Sequence, residues 1–200
     1  MAIYRLNTPI SEKSVRYLKV NDVIYLSGVV VTARDQAHNR ALSLYKEGKT
    51  LPIDLNGLAV YHCGPVMRQQ ADGSWIAVAA GPTTSTRLEI YEDKFLENFK
   101  PRVIIGKGGM GEKTTKAMAK FGAVYCAFTG GAAVLAANAI HKVRGVNWLD
   151  LGMPEAMWIF EVVEFGPLVV AIDSHGRNLF TENAKQVEVN KQKIYQKYAL

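Results

Sequence analysis

The feature that most constrains the fold is a pair of strand, glycine loop and helix units that follow one another between residues 102 and 145. RVIIGKGGMG is typical of a buried strand running into a glycine loop, and EKTTKAMAKFG predicts a helix that ends at Gly122. AVYCAFTGG and AAVLAANAIHKVRG repeat the arrangement, and the second helix is predicted to end at Gly145. Since strands joined through a helical crossover run parallel, the repeat predicts a layer of parallel neighbouring strands.

Further strands are predicted on both sides of this repeat. Three short apolar runs precede it, and MWIFEVVEFGPLVVAIDSHG after it predicts two strands separated at Phe165-Gly166-Pro167. Ala71-Asp72-Gly73 is typical of a hairpin turn, and DQAHNRALSLYKEG has the apolar spacing of a helix. Crossover and hairpin connections therefore occur together, and the expected class is α/β with a mixed sheet. No linker divides the chain, so one domain over residues 1–200 is expected, with a basic C-terminal helix over residues 181–200.

Composition limits the partners and the chemistry. The 200 residues include two cysteines, Cys63 and Cys126, which are too few for a disulfide framework or for the three or four thiolates of a self-contained iron-sulfur or zinc-ribbon site. The net charge of +6 favours an anionic ligand or an acidic partner. Basic residues gather only between Lys185 and Lys197, without a recognised nucleic-acid-binding module, so nucleic acid is not expected. The N-terminal residues lack the layout of a secretory signal and no apolar run reaches the ~20 residues of a membrane span, so a soluble cytoplasmic protein is expected.

The first glycine loop, residues 106–111, has the spacing G-x-G-x-x-G between a strand and a helix, as in dinucleotide-binding folds. Such folds need an acid about 20 residues further on to hold a ribose, and here the next acid after the second strand is Asp150. Two interpretations stay open. In the first, backbone N–H groups at the helix N-termini bind an anion together with Lys107. In the second, the glycines only permit tight turns.

Two further clusters could bind a carboxylate or move a proton. In GPTTSTR, four hydroxyls from Thr83 onward precede Arg87, and hydroxyls and a guanidinium can grip one carboxylate; the alternative is a capping loop with a surface arginine. In TARDQAH, Arg34 and His38 are four residues apart at a predicted helix start, which Asp35 could cap. His38 is a candidate proton carrier near neutral pH, or an exposed histidine with no role.

The chain resembles, over nearly its whole length, the β-subunit of the two-subunit class I iron-sulfur fumarate hydratases and L(+)-tartrate dehydratases. The segments that carry the resemblance are DVIYLSGVVVTARDQAH, PIDLNG, GPV, AGPTTSTR, VIIGKGGMG, GGAAVLAA, LGMPEAMW and EFGPLVVAIDSHGRNLF. The resemblance implies a swivelling β/β/α domain that closes over a four-iron four-sulfur cluster held by three cysteines of a companion α-subunit. The cluster would bind the substrate's carboxylate and hydroxyl, and this chain would bind no cofactor alone.

The resemblance also implies roles for individual residues. Arg34 and Arg87 would hold the carboxylates of a small dicarboxylate, and Thr83 would act as a hydroxyl in the proton path. Lys107 would place its ammonium beside a carboxylate or the developing negative charge, and His38 is the candidate acid/base group. The chain would ligate no metal.

The expected function is therefore reversible hydration of fumarate to malate, as a subunit active only with its α partner. Dehydration of L(+)-tartrate is the alternative, because the motifs do not separate two four-carbon dicarboxylates. A dinucleotide-binding oxidoreductase domain is a remote alternative that lacks its ribose acid. A purely structural protein would leave Arg34, Arg87 and Lys107 without an anionic partner.

Overall fold

The structure, a computed structural model, describes residues 1–198, which form nine strands and six helices. In chain order these are β1 (Ile3–Asn7), α1 (Glu12–Arg16), β2 (Val23–Thr32), α2 (Asp35–Lys46), β3 (Ala59–Tyr61), β4 (Val66–Gln69), β5 (Trp75–Ala79), α3 (Glu89–Phe99), β6 (Val103–Gly106), α4 (Glu112–Phe121), β7 (Val124–Ala127), α5 (Ala133–Asn138), β8 (Ile140–Asn147), β9 (Met157–Ile172) and α6 (Leu179–Tyr198). The predicted hairpin at Ala71-Asp72-Gly73 connects β4 to β5.

The predicted parallel neighbours and mixed sheet are confirmed. The main sheet has seven strands in the order β1-β2-β3-β6-β7-β9-β8. Adjacent pairs from β1 through β7 run parallel, and β9 is antiparallel to its neighbours. Because β9 also pairs with β2, the sheet closes on itself from β2 through β3, β6 and β7 to β9.

Two apolar clusters explain why the strands are short continuous apolar runs. Every residue of β3 and β6 is buried, as expected for parallel strands covered on both faces. One cluster includes Trp158 and Phe160 of β9, with Ala136 of α5. The other packs α2, α3 and α4 on the sheet, through residues such as Phe95 and Met118. The α/β class, with helices packed on a mixed sheet, is confirmed.

The predicted helix ending at Gly145 is wrong in its second half. Helix α5 ends at Asn138, and Ile140–Asn147 is strand β8. Strand β8 pairs along β9 from Ile140↔Val162 to Asn147↔Met157, which supplies hydrogen bonds to an edge that a helix would leave unpaired. Tertiary pairing overrides the local helix preference here.

The two strands predicted to separate at Phe165-Gly166-Pro167 are one strand, β9. Its pairing with β2 shifts register twice beside this segment, between Ile24 and Leu26 and between Leu26 and Gly28. The irregularity is therefore absorbed as a bulge rather than a turn. Gly166 permits this packing, because a Cβ there would lie 2.8 Å from the Ile24 carbonyl oxygen.

The predicted basic C-terminal helix is α6, which begins two residues before the predicted start at 181. It has no buried residue, and residues 199 and 200 lie outside the described part of the chain. Within residues 1–198, no helix combines the length and the apolar character that crossing a bilayer requires.

Candidate active site

The site lies at the edge where four parallel strands end. Arg34 follows β2, His62 follows β3, Lys107 follows β6 and Gly130 follows β7, and the parallel pairing places all four at the same edge. In α/β folds this carboxyl edge is where ligands bind. The topology therefore brings together two of the predicted binding residues, Arg34 and Lys107, that are 73 positions apart in the sequence.

The loop that carries Thr83 and Arg87 is fixed between the ends of β3 and β6. The Thr83 amide donates to the His62 carbonyl at 2.7 Å, and the Lys107 amide donates to the Thr83 carbonyl at 3.3 Å. The Ser85 amide donates to the Lys107 carbonyl at 2.8 Å. These backbone hydrogen bonds place the hydroxyl loop beside Lys107.

Arg87 links this loop to the start of α2. Its Nη2 lies 2.9 Å from Oδ2 of Asp35 and donates to Oγ1 of Thr83 at 3.0 Å. The expected capping role of Asp35 is wrong, because α2 has no side-chain cap and Arg34 is its N-cap residue. The capping interpretation of the hydroxyl loop finds no support either, since Ser85, which precedes the short 3-10 turn Thr86–Leu88, makes no side-chain cap hydrogen bond.

Arg34 is held by Glu155, a residue that sequence reasoning did not identify. Its Nε lies 3.1 Å from Oε1 of Glu155, and both side chains are largely buried. Oε2 of Glu155 accepts from the Gln36 amide at 3.0 Å, which ties the carboxylate to α2. A Cβ at Gly64 would lie 2.9 Å from both Cδ of Arg34 and the Pro154 carbonyl oxygen, so glycine at this position lets Arg34 pack here.

Lys107 differs from the two arginines in having no acidic partner. It is partly buried and forms no ion pair among residues 1–198. A Cβ at Gly130 would lie 3.7 Å from Nζ, so the ammonium lies against the second glycine loop. A partly buried cation without a counter-charge is a natural position for a bound anion.

The N-terminus of α4 does not fit the expected anion site in the first glycine loop. Oε2 of Glu89 accepts from the Gly111 amide at 2.7 Å, and Oε1 accepts from the Thr114 amide at 3.1 Å. A carboxylate of the protein itself therefore occupies the helix end. A Cβ at Gly109 would lie 2.5 Å from the Phe180 ring, so at Gly109 and Gly111 the absence of a side chain is required by packing.

His38 lies beneath this edge and has no exposed surface. Its Nε2 is 3.6 Å from Oε2 of Glu92, and Nε2 of His62 is 3.2 Å from the same oxygen. The interpretation of His38 as an exposed histidine is wrong. A fully buried imidazole cannot touch a substrate in this conformation, so direct proton exchange by His38 stays a prediction without geometric support.

The charges of this buried cluster follow from its surroundings. Burial opposes ionisation of Glu92, but the close approach of His38 and then His62 outweighs it and lowers the pKa of Glu92 to about 2. Burial is also the main cause that lowers the pKa of His62. The cluster therefore contains an ionised carboxylate and a neutral His62 at neutral pH.

The thiols do not fit a metal cluster. Cys63 and Cys126 are both free and buried, and burial raises the pKa of each. Two protonated, buried thiols cannot replace the three thiolates that a four-iron cluster of this kind requires. Both thiols pack within the apolar core instead.

The structure thus brings Arg34, Thr83, Arg87 and Lys107 to one edge and leaves His38 below it. Sequence reasoning missed the residues that hold this set: Asp35 as an ion-pair partner, His62, Ser85, Glu92 and Glu155. Glu92 lies on α3, whose apolar spacing at Leu88, Phe95 and Leu96 could have indicated a helix. Its pairing with His38 and His62 has no local sequence signal.

Comparisons with known proteins cover most of the chain. Residues 2–183 match the family model described as Fumarase C-terminus. The "L(+)-tartrate dehydratase subunit beta" of Escherichia coli (strain K12) is 46% identical over 180 residues, which are 90% of this chain and 88% of that protein. The "Putative L(+)-tartrate dehydratase subunit beta" of Methanocaldococcus jannaschii is 45% identical over 89% of this chain and 91% of that protein. The "Putative fumarate hydratase class I" of Geobacillus stearothermophilus is 44% identical over 92% of this chain but only 34% of that longer protein.

Proposed function

The chain belongs to the Fumarase C-terminus family, and from this premise we propose that it is the β-subunit of an iron-sulfur hydro-lyase acting on a four-carbon dicarboxylate. The observation that carries the proposal is the meeting of Arg34, Arg87 and Lys107 at the carboxyl edge of the sheet. Three cations from three separate elements suit a ligand with two carboxylates.

The partner in this proposal is an α-subunit that holds a four-iron four-sulfur cluster. The two buried thiols of this chain do not fit such a cluster. The Geobacillus stearothermophilus relative supports a division of labour, because this chain corresponds to only 34% of that protein. The remainder of such a protein would be supplied here by a second chain, so that the active enzyme is a heteromer.

Arg34 and Arg87 are prepared for carboxylate binding before substrate arrives. Glu155 orients Arg34 and Asp35 orients Arg87, so neither guanidinium must be ordered when the ligand binds. Lys107 supplies the unpaired positive charge. We assign the two arginines to the substrate carboxylates, and Lys107 to the carboxylate on which negative charge develops.

Thr83 is the group of this chain best placed to take part in proton transfer. Its Oγ1 already accepts a hydrogen bond from Arg87 at 3.0 Å, which stabilises negative charge on that oxygen. Removing a proton next to a carboxylate creates an aci-carboxylate, and fixed cations stabilise this charge better than water does. Arg87 would therefore bind a substrate carboxylate and also stabilise negative charge on Oγ1 of Thr83.

Two substrates fit this arrangement. Fumarate and malate both carry two carboxylates, for which the chain offers Arg34 and Arg87. Dehydration of L(+)-tartrate is favoured by the names of the relatives that this chain matches over nearly their whole length. Tartrate carries one more hydroxyl than malate, and the group that contacts it would lie on this chain or on the α-subunit.

The test is anaerobic co-expression with the matching α-subunit, followed by assays with fumarate and with L(+)-tartrate. We expect turnover of at least one of the two, and the larger kcat/KM identifies the substrate. A complex that carries an intact cluster and turns over neither compound would overturn the proposed function.

A further inference from the structure

A buried cluster of three ionisable side chains lies directly beneath the candidate site. His38 comes from α2, His62 from the end of β3 and Glu92 from α3, and all three have no exposed surface. Both Nε2 atoms and both Glu92 oxygens lack an aligned hydrogen bond within residues 1–198, although the two imidazoles approach Oε2 at 3.6 and 3.2 Å. The three side chains are thus in close contact with one another, and the cluster cannot contact substrate itself.

The outer nitrogen of each imidazole reaches one of the loops that carry binding residues. Nδ1 of His38 lies 2.8 Å from the backbone carbonyl oxygen of Arg34. Nδ1 of His62 lies 2.9 Å from Oγ of Ser85, in the middle of the hydroxyl loop. The two site loops are therefore joined through Glu92 by a path of side chains.

The hydrogen bonds determine where the proton on His62 lies. The Tyr125 hydroxyl donates to Oγ of Ser85 at 3.1 Å, so the Ser85 hydroxyl is free to donate to Nδ1 of His62. The proton of a neutral His62 then resides on Nε2, which faces the Glu92 carboxylate. This assignment agrees with a lowered pKa for both His62 and Glu92.

Nδ1 of His38 faces a different atom from Nδ1 of His62. Nδ1 of His38 must be protonated, because the atom opposite is a backbone carbonyl oxygen that can only accept. Its Nε2 is buried and lies 3.6 Å from Oε2 of Glu92 without an aligned hydrogen bond. His38 therefore contacts Glu92 on one side of its ring and the Arg34 carbonyl on the other.

We propose that Glu92 is a positioning residue for the reaction, which through His38 and His62 fixes the loops of Arg34 and of Thr83 and Arg87 at the spacing that a dicarboxylate requires. The proposal rests on the proposed function for the identity of the ligand. It requires no contact between the cluster and the substrate.

The kinetic test uses Glu92→Gln in the complex with the α-subunit, with Glu97→Gln on the same helix as the matched control. Glu97 pairs with Lys94 at the surface. A variant that only folds less well loses apparent kcat and keeps KM, whereas displaced arginines raise KM. We expect KM for the dicarboxylate to rise at least fivefold in Glu92→Gln and to stay within twofold in the control. An unchanged KM in a folded Glu92→Gln complex would overturn the proposal.

Ser85→Ala provides a second variant in case Glu92→Gln fails to fold. It removes the hydroxyl that connects His62 to its loop and keeps the charges of the cluster. We expect the same direction of change, a higher KM for the dicarboxylate. A KM equal to that of the wild type would contradict the proposed link from Glu92 through His62 to the hydroxyl loop.

A spectroscopic test on the full wild-type chain does not depend on activity. Nitrogen-15 NMR of the imidazole rings at neutral pH should show a single protonated nitrogen, Nε2, in His62. A His62 ring protonated on Nδ1 would overturn the proposal even in an active enzyme. Metal analysis of the same sample tests whether the cluster is a metal site instead, since one ligand atom from each of the three side chains lies within 4.8 Å of the others. One retained equivalent of metal per chain would also overturn the positioning role of Glu92. An inactive wild-type complex with the expected NMR signals would overturn the proposed function and leave the positioning role standing.

Discussion

Arg87 contacts three kinds of partner at once in the proposed enzyme: Asp35, Thr83 and a substrate carboxylate. Nη2 of the guanidinium makes both contacts to Asp35 and Thr83, which leaves the donors on Nη1 and Nε for a carboxylate. In this chain 43% of the Arg87 side chain is exposed, so the guanidinium is accessible to a ligand. The charge alone would not reproduce this role.

We therefore predict that Arg87→Lys lowers kcat/KM of the complex at least tenfold. Lysine retains the positive charge but cannot keep the contacts to Asp35 and Thr83 while it binds a carboxylate. The measurement is steady-state kinetics on the better substrate, with Arg177→Lys as control, because Arg177 pairs with Glu182 away from the site. Near wild-type kinetics for Arg87→Lys would contradict the assigned role.

His62 gives the folded chain a pH-dependent stability. Burial lowers its pKa in the folded state below the ordinary value of 6.5, so below that pH the unfolded chain binds a proton that the folded chain does not. Stability is therefore lost as the pH falls from 7 to 5, by up to about 2 kcal/mol from this group. We expect His62→Gln to flatten this dependence in urea unfolding measured across that range.

The matched control for this pH dependence is His141→Gln, since His141 is exposed on β8. Its curve should run parallel to that of the wild type. If His62→Gln also ran parallel to the wild type, the assignment of a lowered pKa to His62 would be wrong.

At the scale of residues, sequence reasoning found groups with a motif and missed groups without one. Arg34, Thr83, Arg87 and Lys107 lie in segments that resemble a known family, and the topology brings them together. Glu92 and Glu155 are single acids in ordinary surroundings, and their roles depend on partners 54 and 121 positions away, His38 and Arg34. No local pattern encodes such distant pairs.

The connection between β6 and α4 shows why glycine is required at a strand end. A Cβ at Gly106 would lie 1.9 Å from Oγ of Ser85 and 3.2 Å from Nδ1 of His62. The hydroxyl loop can approach β6 only because this position has no side chain. The first glycine of the G-x-G-x-x-G pattern is thus required for the hydroxyl loop to pack against β6, and not for binding a dinucleotide.

Gly106→Ala should consequently lower the free energy of unfolding by about 1–3 kcal/mol, the usual cost of overpacking a tight interior. Urea unfolding measures this change. Gly145→Ala is the control, because a Cβ there meets no atom within 4 Å, and its effect should stay within about 0.5 kcal/mol. Equal stabilities for the two variants would contradict the close approach of Ser85.

The N-terminus of α4 yields a prediction against dinucleotide binding. Glu89 already accepts hydrogen bonds from the Gly111 and Thr114 amides, so a pyrophosphate would have to displace it. Saturating NAD should therefore leave the melting temperature of the chain unchanged. A bound dinucleotide in large excess would add a few kcal/mol of stability, so a clear rise in melting temperature would contradict this interpretation.

Among the elements, the parallel strands were predictable because strands buried on both faces are continuous apolar runs. Strand β8 was not, because Ala133–Asn138 and the residues after it contain good helix formers, and only pairing with β9 decides their conformation. A break between two strands was predicted at Phe165-Gly166-Pro167, where the structure has register shifts within the single strand β9. Pairing with β2 on both sides of Gly166 keeps the strand continuous.

For the molecule as a whole, the proposed function makes this chain one half of a shared active site. Residues 1–198 present cationic side chains at one sheet edge together with two buried thiols, and the chain corresponds to 34% of its longer relative. Substrate would then be bound between the two chains. The basic helix α6, which has no buried residue, has no assigned role.

Hydro-lyase activity measured on the isolated chain and on its complex with the α-subunit tests this account most directly. We predict no turnover of fumarate or L(+)-tartrate by the isolated chain, and turnover of at least one of them by the anaerobically purified complex with an intact cluster. Activity of the isolated chain, or an inactive complex that retains its cluster, would contradict the account.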